Sequence, residues 1–237
     1  MIRRFMNGAQ IEAGGPTREH GDRLLLFAKD PTPGQVKTRL CPPLAPAAAA
    51  RLYAAFLHDV AAESRSPDWD ARFCVWPNET FPAQALPVET QRGADLGARM
   101  AAAMAEAFAD GAERVVIRNT DSPTLPRARL TEAFVGLANS AIDVVLGPDV
   151  GGGYYLVGVR AARLPLVQRH LLEPLREWPA SEVFRETVAA ARRAQLCVLV
   201  LRRERDVDVP DDLAWLRGEL ERHVDRAPMT AACLREL

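Results

Sequence analysis

The stretch LLLFAKDPTPGQVKTRL, Leu24 to Leu40, joins an apolar run to a loop that contains two prolines and a glycine. The apolar run, Leu24 to Ala28, lacks the alternation of a half-exposed strand, which predicts a strand buried on both faces of a parallel sheet. Pro33 ends regular structure, and Gly34 lets the backbone approach a ligand closely. A strand, a loop and a helix in this order present backbone N–H groups to phosphate in α/β proteins. We therefore predict a nucleotide-binding loop here.

Two cations, Lys37 and Arg39, end the same stretch. Beside a glycine-containing loop they are suited to hold the charge of a polyphosphate, so we predict that both bind the phosphates of the nucleotide. A second interpretation stays open, because a short motif of this kind also occurs as a surface turn with solvated cations. The predicted nucleotide contacts of the stretch are Ala28, Lys29, Pro33, Gly34, Lys37 and Arg39.

Composition excludes several classes of partner. The formal net charge of the 237 residues is -1 and the pI is near 6.4, which gives no general attraction to nucleic acid. The four cysteines are scattered without CxxC spacing, which favours free thiols over a disulfide framework or a zinc site. The sequence has neither a long apolar run nor a charged and then apolar leader. We therefore expect a cytoplasmic protein that does not bind membranes.

Strands and helices are predicted to alternate along most of the chain. Residues 1–21 show little periodicity and contain Gly-Gly-Pro, which predicts a flexible extension before a single domain over residues 22–237. This alternation predicts a three-layer α/β/α fold around a mostly parallel central sheet. The predicted strands are 24–28, 71–76, 113–120, 141–148, 154–159 and 196–201, with a short edge segment near 86–90. The predicted helices are 46–64, 96–109, 126–138, 181–194 and a final one from Pro210, with helical fragments broken by proline over 160–176.

Three aspartates are expected at the ends of predicted strands, on the same rim of the sheet as the cations. Asp121 directly follows one strand and is the predicted anchor of a hard cation such as Mg²⁺. Asp206 and Asp208 follow the last strand, and one of them is predicted to share that cation with Asp121. The alternatives stay open: Asp121 can cap the next turn, and the segment around Asp208 can serve to start a helix with Asp211 and Asp212 in its first turn.

Two glycine-containing segments are further candidates for ligand contact. The tract GPDVGGGYYLVGV places four glycines between two strands, so its backbone can come close to a ligand that Tyr154 or Tyr155 borders, although a plain tight connection explains it nearly as well. In LGARM, a glycine in the first helical turn costs helix stability unless something must approach it, and the following arginine can reach an anion. The predicted nucleotide contacts from these segments are Leu96, Gly97, Arg99, Gly152, Gly153 and Tyr154.

Six blocks of the sequence resemble a known family in order and spacing. They are FAKDPTPGQVKTRL, ADLGARM, NTDSPTL, VVLGPDVGGGYYLVGV, EWPASEVFRETV and DVDVPDDLAWL, which together cover about residues 23–216. They resemble a bacterial family of GT-A-like proteins commonly labelled glycosyltransferases, which is itself similar to the 2-phospholactate and molybdenum-cofactor guanylyltransferases. The resemblance implies a Rossmann-like nucleotide-diphospho-sugar transferase fold. It also implies a Mg²⁺ or Mn²⁺ ion held by Asp121 and Asp208, with Lys37 and Arg39 facing a triphosphate.

The chain departs from the family pattern at two places. Family members usually read GP-x-x-DGGYYL, whereas Gly151 stands at the position of that aspartate and Asp149 lies two residues earlier. They also usually carry Gly-Thr-Asp-Cys-Pro-Asp, where this chain has Asn119, Ser122 and Thr124. The resemblance therefore implies altered substrates or reduced activity if the missing acid is catalytic in the family.

Three functional hypotheses follow. The first is a Mg²⁺-dependent nucleotidyltransferase that couples an NTP to a small phosphorylated acceptor and releases pyrophosphate, with Lys37, Arg39 and Asp121 as catalytic residues. The second is a glycosyltransferase that uses a nucleotide-sugar donor with the same ion. The third is a nucleotide-binding module without turnover. The sequence does not predict the base, the acceptor or the oligomeric state.

Overall fold

The computed structural model describes residues 21–77, 81–82, 86–223 and 225–237. The flexible extension predicted for residues 1–21 therefore lies almost entirely outside the described residues. The strands are β1 (Asp22–Ala28), β2 (Asp70–Val75), β3 (Val88–Thr90), β4 (Arg114–Asn119), β5 (Val144–Pro148), β6 (Tyr154–Arg160) and β7 (Val198–Val200). The α-helices are α1 (Pro46–Ser64), α2 (Leu96–Ala109), α3 (Arg127–Ala138), α4 (Leu164–Val167), α5 (Val183–Arg193), α6 (Pro210–Arg222) and α7 (Pro228–Arg235).

These strands form one sheet in the order β3-β2-β1-β4-β6-β5-β7. The pairs β2–β3, β1–β2, β1–β4 and β5–β7 are parallel, and β6 runs antiparallel to both of its neighbours. Parallel neighbours bring the carboxyl ends of their strands to the same edge of the sheet, where open α/β sheets place their ligands. The ends of β1, β2 and β4 therefore lie side by side.

Two apolar clusters cover the two faces of the sheet. In β1, Leu24 and Leu26 enter the cluster formed with α1, α3, α6 and α7, whereas Leu25 enters the cluster formed with α2 and α5. All three leucine side chains are fully buried. The predicted strand buried on both faces and the predicted three-layer fold with a mostly parallel sheet are therefore confirmed. None of the helices in the described part of the chain is long and apolar enough to cross a membrane.

The end of the chain differs from the sequence prediction. The helix that begins at Pro210 was predicted to be the last element, and this is wrong because α7 follows it. The buried carboxylate of Asp59 on α1 accepts hydrogen bonds from the backbone N–H groups of Met229 and Thr230, at 3.1 and 2.7 Å. The start of α7 is thus capped by a residue of a distant helix, which the local sequence does not reveal.

Candidate functional site

A cleft of about 400 Å³ opens at the carboxyl ends of β1, β2 and β4. Side chains from the predicted loop, from α1 and α2 and from the segment before α6 surround it. Eight of the predicted site residues line the cleft: Ala28, Lys29, Lys37, Arg39, Leu96, Arg99, Asp121 and Asp208. The structure therefore brings together residues that are far apart in the sequence.

Lys37 lies at the centre of the charged end of this cleft. Its ammonium forms a short ion pair with Asp121, lies 3.1 Å from Oδ1 of Asp208 and donates to the carbonyl of Val207 at 2.8 Å. Only 4% of its side chain is exposed, compared with 38% for Asp121 and 36% for Asp208. The two aspartates predicted to share a cation thus converge on one buried ammonium.

The conformation of the loop directs Lys37 inward. Its backbone is left-handed, with φ 48°, immediately before the short 3₁₀ helix Thr38–Leu40. The ammonium lies 5.7 Å from the ring centres of both Tyr53 and Phe56 on α1, within range of cation–π attraction. The apolar rings and the carboxylates together hold the lysine beneath the cleft.

Backbone hydrogen bonds join the two acidic segments. The N–H group of Val207 donates to the carbonyl of Asp121 at 2.9 Å. Beneath them, the buried guanidinium of Arg118 donates to the carbonyls of Asn119 and Ser122, at 2.9 and 2.8 Å. The carboxylate of Asp212, in the first turn of α6, accepts from the N–H of Asp208 at 2.9 Å. The backbone bond between Val207 and Asp121 therefore fixes the two acidic segments relative to each other, and the Arg118 and Asp212 side chains support them.

Electrostatics stabilise the charged forms of this cluster. Burial opposes ionisation of Asp208, but Lys37 and Arg39 outweigh it and keep the pKa of its carboxyl below the usual value. Burial likewise opposes the charge of Lys37, but Asp121 and Asp208 outweigh it and raise the pKa of the ammonium. Arg39 contributes a 2.6 Å ion pair to Asp208 while 64% of its side chain stays exposed. We name Asp121 and Asp208 the compensated pair.

Asp149 and Asp206 lie beside the compensated pair, and no ion pair among the described residues reaches either of them. We name them the uncompensated pair. Asp206 accepts hydrogen bonds from Ser122 and Asn119, at 2.7 and 2.9 Å. Burial and then the charge of Asp149 raise the pKa of Asp206 to about 7. Burial also raises the pKa of Asp149, and repulsion from the charge of Asp208 raises it further. Asp206 was predicted as an alternative to Asp208 for the shared cation, and Asp149 was noted only for its position before Gly151. Their proximity to one another was not predicted.

The glycine tract after β5 wraps around Asp149. Its carboxylate accepts from the N–H of Gly153 at 3.1 Å, and a side chain at Gly153 would lie 2.6 Å from its Oδ2. The carbonyl of Gly152 accepts from the N–H of Phe184 at 2.8 Å, which fixes the tract to the start of α5. Gly152 has φ +98°, and a Cβ atom there would lie 2.0 Å from the carbonyl oxygen of Ser181. Packing therefore accounts for these glycines.

The other predicted contacts do not line the cleft. A side chain at Gly97 would lie 1.9 Å from the carbonyl oxygen of Leu172, so the group that approaches this glycine is a neighbouring backbone. Tyr154 packs against the apolar cluster of α2 and α5. Pro33 and Gly34 are exposed and precede residues 35–39, which line the cleft. Nucleotide contact by Pro33, Gly34, Gly97, Gly152, Gly153 and Tyr154 stays a prediction.

The opposite end of the cleft is aromatic. The guanidinium of Arg99 lies 4.2 Å from the ring centre of Trp76, and 41% of Trp76 is exposed. Gln91 lies below and donates to the carbonyls of Ala28 and Cys74, at 3.2 and 2.7 Å. Neither Trp76 nor Gln91 was predicted from the sequence. The predicted strand 71–76 included Trp76, whereas β2 ends at Val75, so Trp76 was not considered among the residues that follow a strand.

The compensated pair fits a hard divalent cation. Mg²⁺ is commonly held by one or two carboxylates together with phosphate oxygens, rather than by a cage of protein ligands. Among the described residues, no group of three or more His, Cys, Asp or Glu side chains forms such a cage. The two carboxylates already converge on a cation, the ammonium of Lys37. Asp121 and Asp208 are therefore the residues that would hold the ion.

Solved structures share this arrangement of helices and strands. A candidate nucleotide-diphospho-sugar transferase from Desulfovibrio desulfuricans G20 is 33% identical, with a TM-score of 0.81 over 92% of this chain and 95% of that one. CMP:2-keto-3-deoxy-manno-octonic acid synthetase in complex with CTP is 10% identical, with a TM-score of 0.54 over 85% of this chain and 99% of that one. A cytidylyltransferase from Leptospira borgpetersenii is 13% identical, with a TM-score of 0.54 over 92% and 95%.

These similarities define the class of the protein: the chain has the nucleotide-diphospho-sugar transferase fold that the sequence blocks implied. It belongs to the family of uncharacterized proteins conserved in bacteria, DUF2064, whose model matches residues 57–181. No functionally curated protein sequence matches the chain.

Proposed function

We propose that the protein is a Mg²⁺-dependent nucleotidyltransferase that couples an NTP to a small phosphorylated acceptor. The observation that supports this most directly is the polarity of the cleft. One end holds two carboxylates and two cations. At the other end the guanidinium of Arg99 lies over the ring of Trp76. A nucleotide has the same polarity, with a charged phosphate tail and a planar base.

Each end of the cleft has a distinct role in this proposal. Trp76 and Arg99 bind the base by stacking, while the exposed guanidinium of Arg39 binds phosphate oxygens. Asp121 and Asp208 hold the ion, which when bound supplies positive charge to the phosphate oxygens. In the absence of the ion, Lys37 neutralises the two carboxylates. The buried Arg118 positions the turn after β4 and thereby Asp121.

The proposed reaction is a single displacement at phosphorus. An oxygen of the phosphorylated acceptor attacks the α-phosphorus of the NTP, a new phosphorus–oxygen bond forms, and the bond to the β-phosphate bridge breaks. Pyrophosphate leaves with the electron pair of that bond. The protein contributes orientation and charge neutralisation, which are the main requirements of phosphoryl transfer.

A glycosyltransferase with a nucleotide-sugar donor is the second candidate. The observation in its favour is the 33% identical relative from Desulfovibrio desulfuricans, which is described as a candidate nucleotide-diphospho-sugar transferase. The third candidate is a nucleotide-binding module without turnover, which the glycine at position 151 motivates. In each case we propose that residues 22–237 act as one domain. The scattered free cysteines support a cytoplasmic location.

A thermal-shift panel separates these candidates. At a ligand concentration 100 times the Kd, binding stabilises by about 2.7 kcal/mol, or roughly 5 to 10 °C for a chain of this size. Stabilisation by an NTP with Mg²⁺, followed by pyrophosphate release with a panel of phosphorylated acceptors, supports the nucleotidyltransferase. Stabilisation only by nucleotide sugars favours the glycosyltransferase. Binding of an NTP without pyrophosphate release from any acceptor favours the binding module.

A pair of tryptophan variants tests the position of the base. Trp76→Leu is expected to weaken NTP binding about 5- to 150-fold, because loss of a stacking partner costs about 1–3 kcal/mol. Trp215→Leu is the matched control, since Arg205 lies 5.3 Å from the ring centre of Trp215 in a similar pair that does not line the cleft. Equal affinities of the two variants, measured by calorimetry, would contradict the proposed orientation.

A further inference from the structure

The hydrogen-bonding capacity of Lys37 is fully used within the protein. An ammonium carries three N–H donors. Its three nearest acceptors are carboxylate oxygens of Asp121 and Asp208 and the carbonyl oxygen of Val207. Because all three donors have partners, Lys37 has none left for a phosphate oxygen in this arrangement.

The ammonium also occupies the position that suits a divalent cation. It lies between the two carboxylates that would hold the ion, with 4% of its side chain exposed. A divalent cation and the ammonium would compete for the same two carboxylates, and two cations cannot both lie between them without strong repulsion. The two states of the site therefore exclude one another.

We propose that Lys37 is the resident counter-ion of the compensated pair and that a divalent cation displaces it. In the metal-free protein, Lys37 keeps the two carboxylates at a short separation that would otherwise be repulsive. When the cation enters, it takes over both carboxylates and releases the ammonium toward the cleft, where its donors become available to phosphate. This inference rests on the cation site of the proposed function.

The first test measures Mn²⁺ affinity without nucleotide, by the loss of the free Mn²⁺ signal in electron paramagnetic resonance. Lys37→Met keeps the length and apolar stem of the side chain but removes the competing charge. We expect it to bind Mn²⁺ about tenfold or more tightly than the wild-type protein. Arg39→Met is the matched control, because Arg39 also contacts Asp208 but is mostly exposed. We expect it to change the affinity by less than about threefold.

The outcomes separate this inference from the proposed function. Mn²⁺ binding of equal strength in wild type and Lys37→Met would overturn the displacement but leave the cation site intact. The absence of Mn²⁺ binding in both proteins, with and without an NTP, would overturn both proposals. A circular dichroism melt of each variant establishes that it is folded before binding is measured.

The second test uses the wild-type protein and so does not depend on folding of a variant. Lys29 and Lys37 are the two lysines of the sequence. Lys29 is exposed and serves as an internal reference for acetylation measured by mass spectrometry. We expect Lys37 to be protected relative to Lys29 without metal and to be labelled several-fold faster when Mn²⁺ alone is added. Labelling of Lys37 that Mn²⁺ leaves unchanged would overturn the proposal.

Discussion

The compensated and uncompensated pairs contain the same side chain on the same edge of the sheet, yet their surroundings differ. Asp208 meets Lys37 and Arg39, and its pKa lies below the usual value. Asp206 meets Ser122 and Asn119, and its pKa rises to about 7. Burial disfavours the charged form of a carboxylate, and a hydrogen bond from a neutral group offsets this cost less than a nearby cation does. The two carboxylates therefore differ although they lie close together.

This difference assigns separate roles to the two pairs. Ionised carboxylates next to a cleft are available to a cation, whereas a carboxylate that already accepts several hydrogen bonds organises its own surroundings. The glycine tract surrounds Asp149, and the turn after β4 donates to Asp206. The compensated pair therefore serves the proposed chemistry, and the uncompensated pair serves the shape of the loops that carry it.

The largest expected effect comes from removing one carboxylate of the compensated pair. Asp121→Asn should lower turnover on the order of 10²-fold or more, because the charge that neutralises the transferred phosphate would be held less well. Asp149→Asn should lower it by less than about tenfold, since the amide oxygen still accepts from the glycine tract. Pyrophosphate release at saturating NTP measures both. A loss from Asp149→Asn as large as that from Asp121→Asn would show that the two pairs do not have separate roles.

The next effect concerns the pH dependence of stability. The pKa of Asp206 is about 7 in the folded protein and 3.8 as the ordinary value. Between these values the folded state binds a proton that the unfolded state has lost, so stability falls as pH rises. The slope approaches ~1.4 kcal/mol per pH unit for one such group. Asp206→Asn removes this titrating carboxyl and should be more stable than wild type at pH 8.

Urea unfolding of both proteins at pH 5, 6, 7 and 8 measures this difference. The advantage of Asp206→Asn should grow across the series and level off above pH 7. Asp208→Asn is the contrasting variant, because its pKa is lowered in the folded state and its ionised form is stabilising. It should lose stability relative to wild type at neutral pH. An advantage of Asp206→Asn that does not change with pH would contradict the raised pKa.

A smaller effect is expected from filling the space around Asp149. In Gly153→Ala the new Cβ atom would lie 2.6 Å from Oδ2 of Asp149, so the carboxylate must move. We expect a loss of about 1–3 kcal/mol in the free energy of unfolding. Gly218→Ala, on α6 with nothing within 4 Å, is the control and should gain up to about 1 kcal/mol. Chemical denaturation measures both, and a neutral Gly153→Ala would show that the tract is not built around Asp149.

The sequence predicted the elements whose signals are local. The bounds of α1 and α2 agree with the prediction, since each has an apolar stripe and a start signal, proline in α1 and Asp95 as the cap of α2. The helix α7 was missed because its cap is supplied by Asp59, about 170 residues away in the chain. Tertiary contacts of this kind leave no periodic pattern.

The site could be predicted only in outline. Strand ends that share an edge of the sheet predicted that Asp206 or Asp208 meets Asp121, and the family resemblance implied Asp208. Asp121 and Asp208 both contact Lys37 in the structure. The direct pairing of Lys37 with them was not expected, since it depends on a left-handed backbone at a residue other than glycine. Asp149 was noted only for its position relative to Gly151, because burial and hydrogen bonding cannot be read from the residue type.

The smallest expected effect tests which cation compensates Asp208. Arg39→Gln removes an exposed ion pair, so the free energy of unfolding should change by less than about 1 kcal/mol. Because exposed charges are screened by salt, the difference from wild type should shrink between 0.05 and 0.5 M NaCl in urea unfolding. A loss above about 2 kcal/mol that salt does not reduce would assign the compensation to Arg39. A small, salt-sensitive loss assigns it to Lys37, whose burial lets one charge hold two carboxylates.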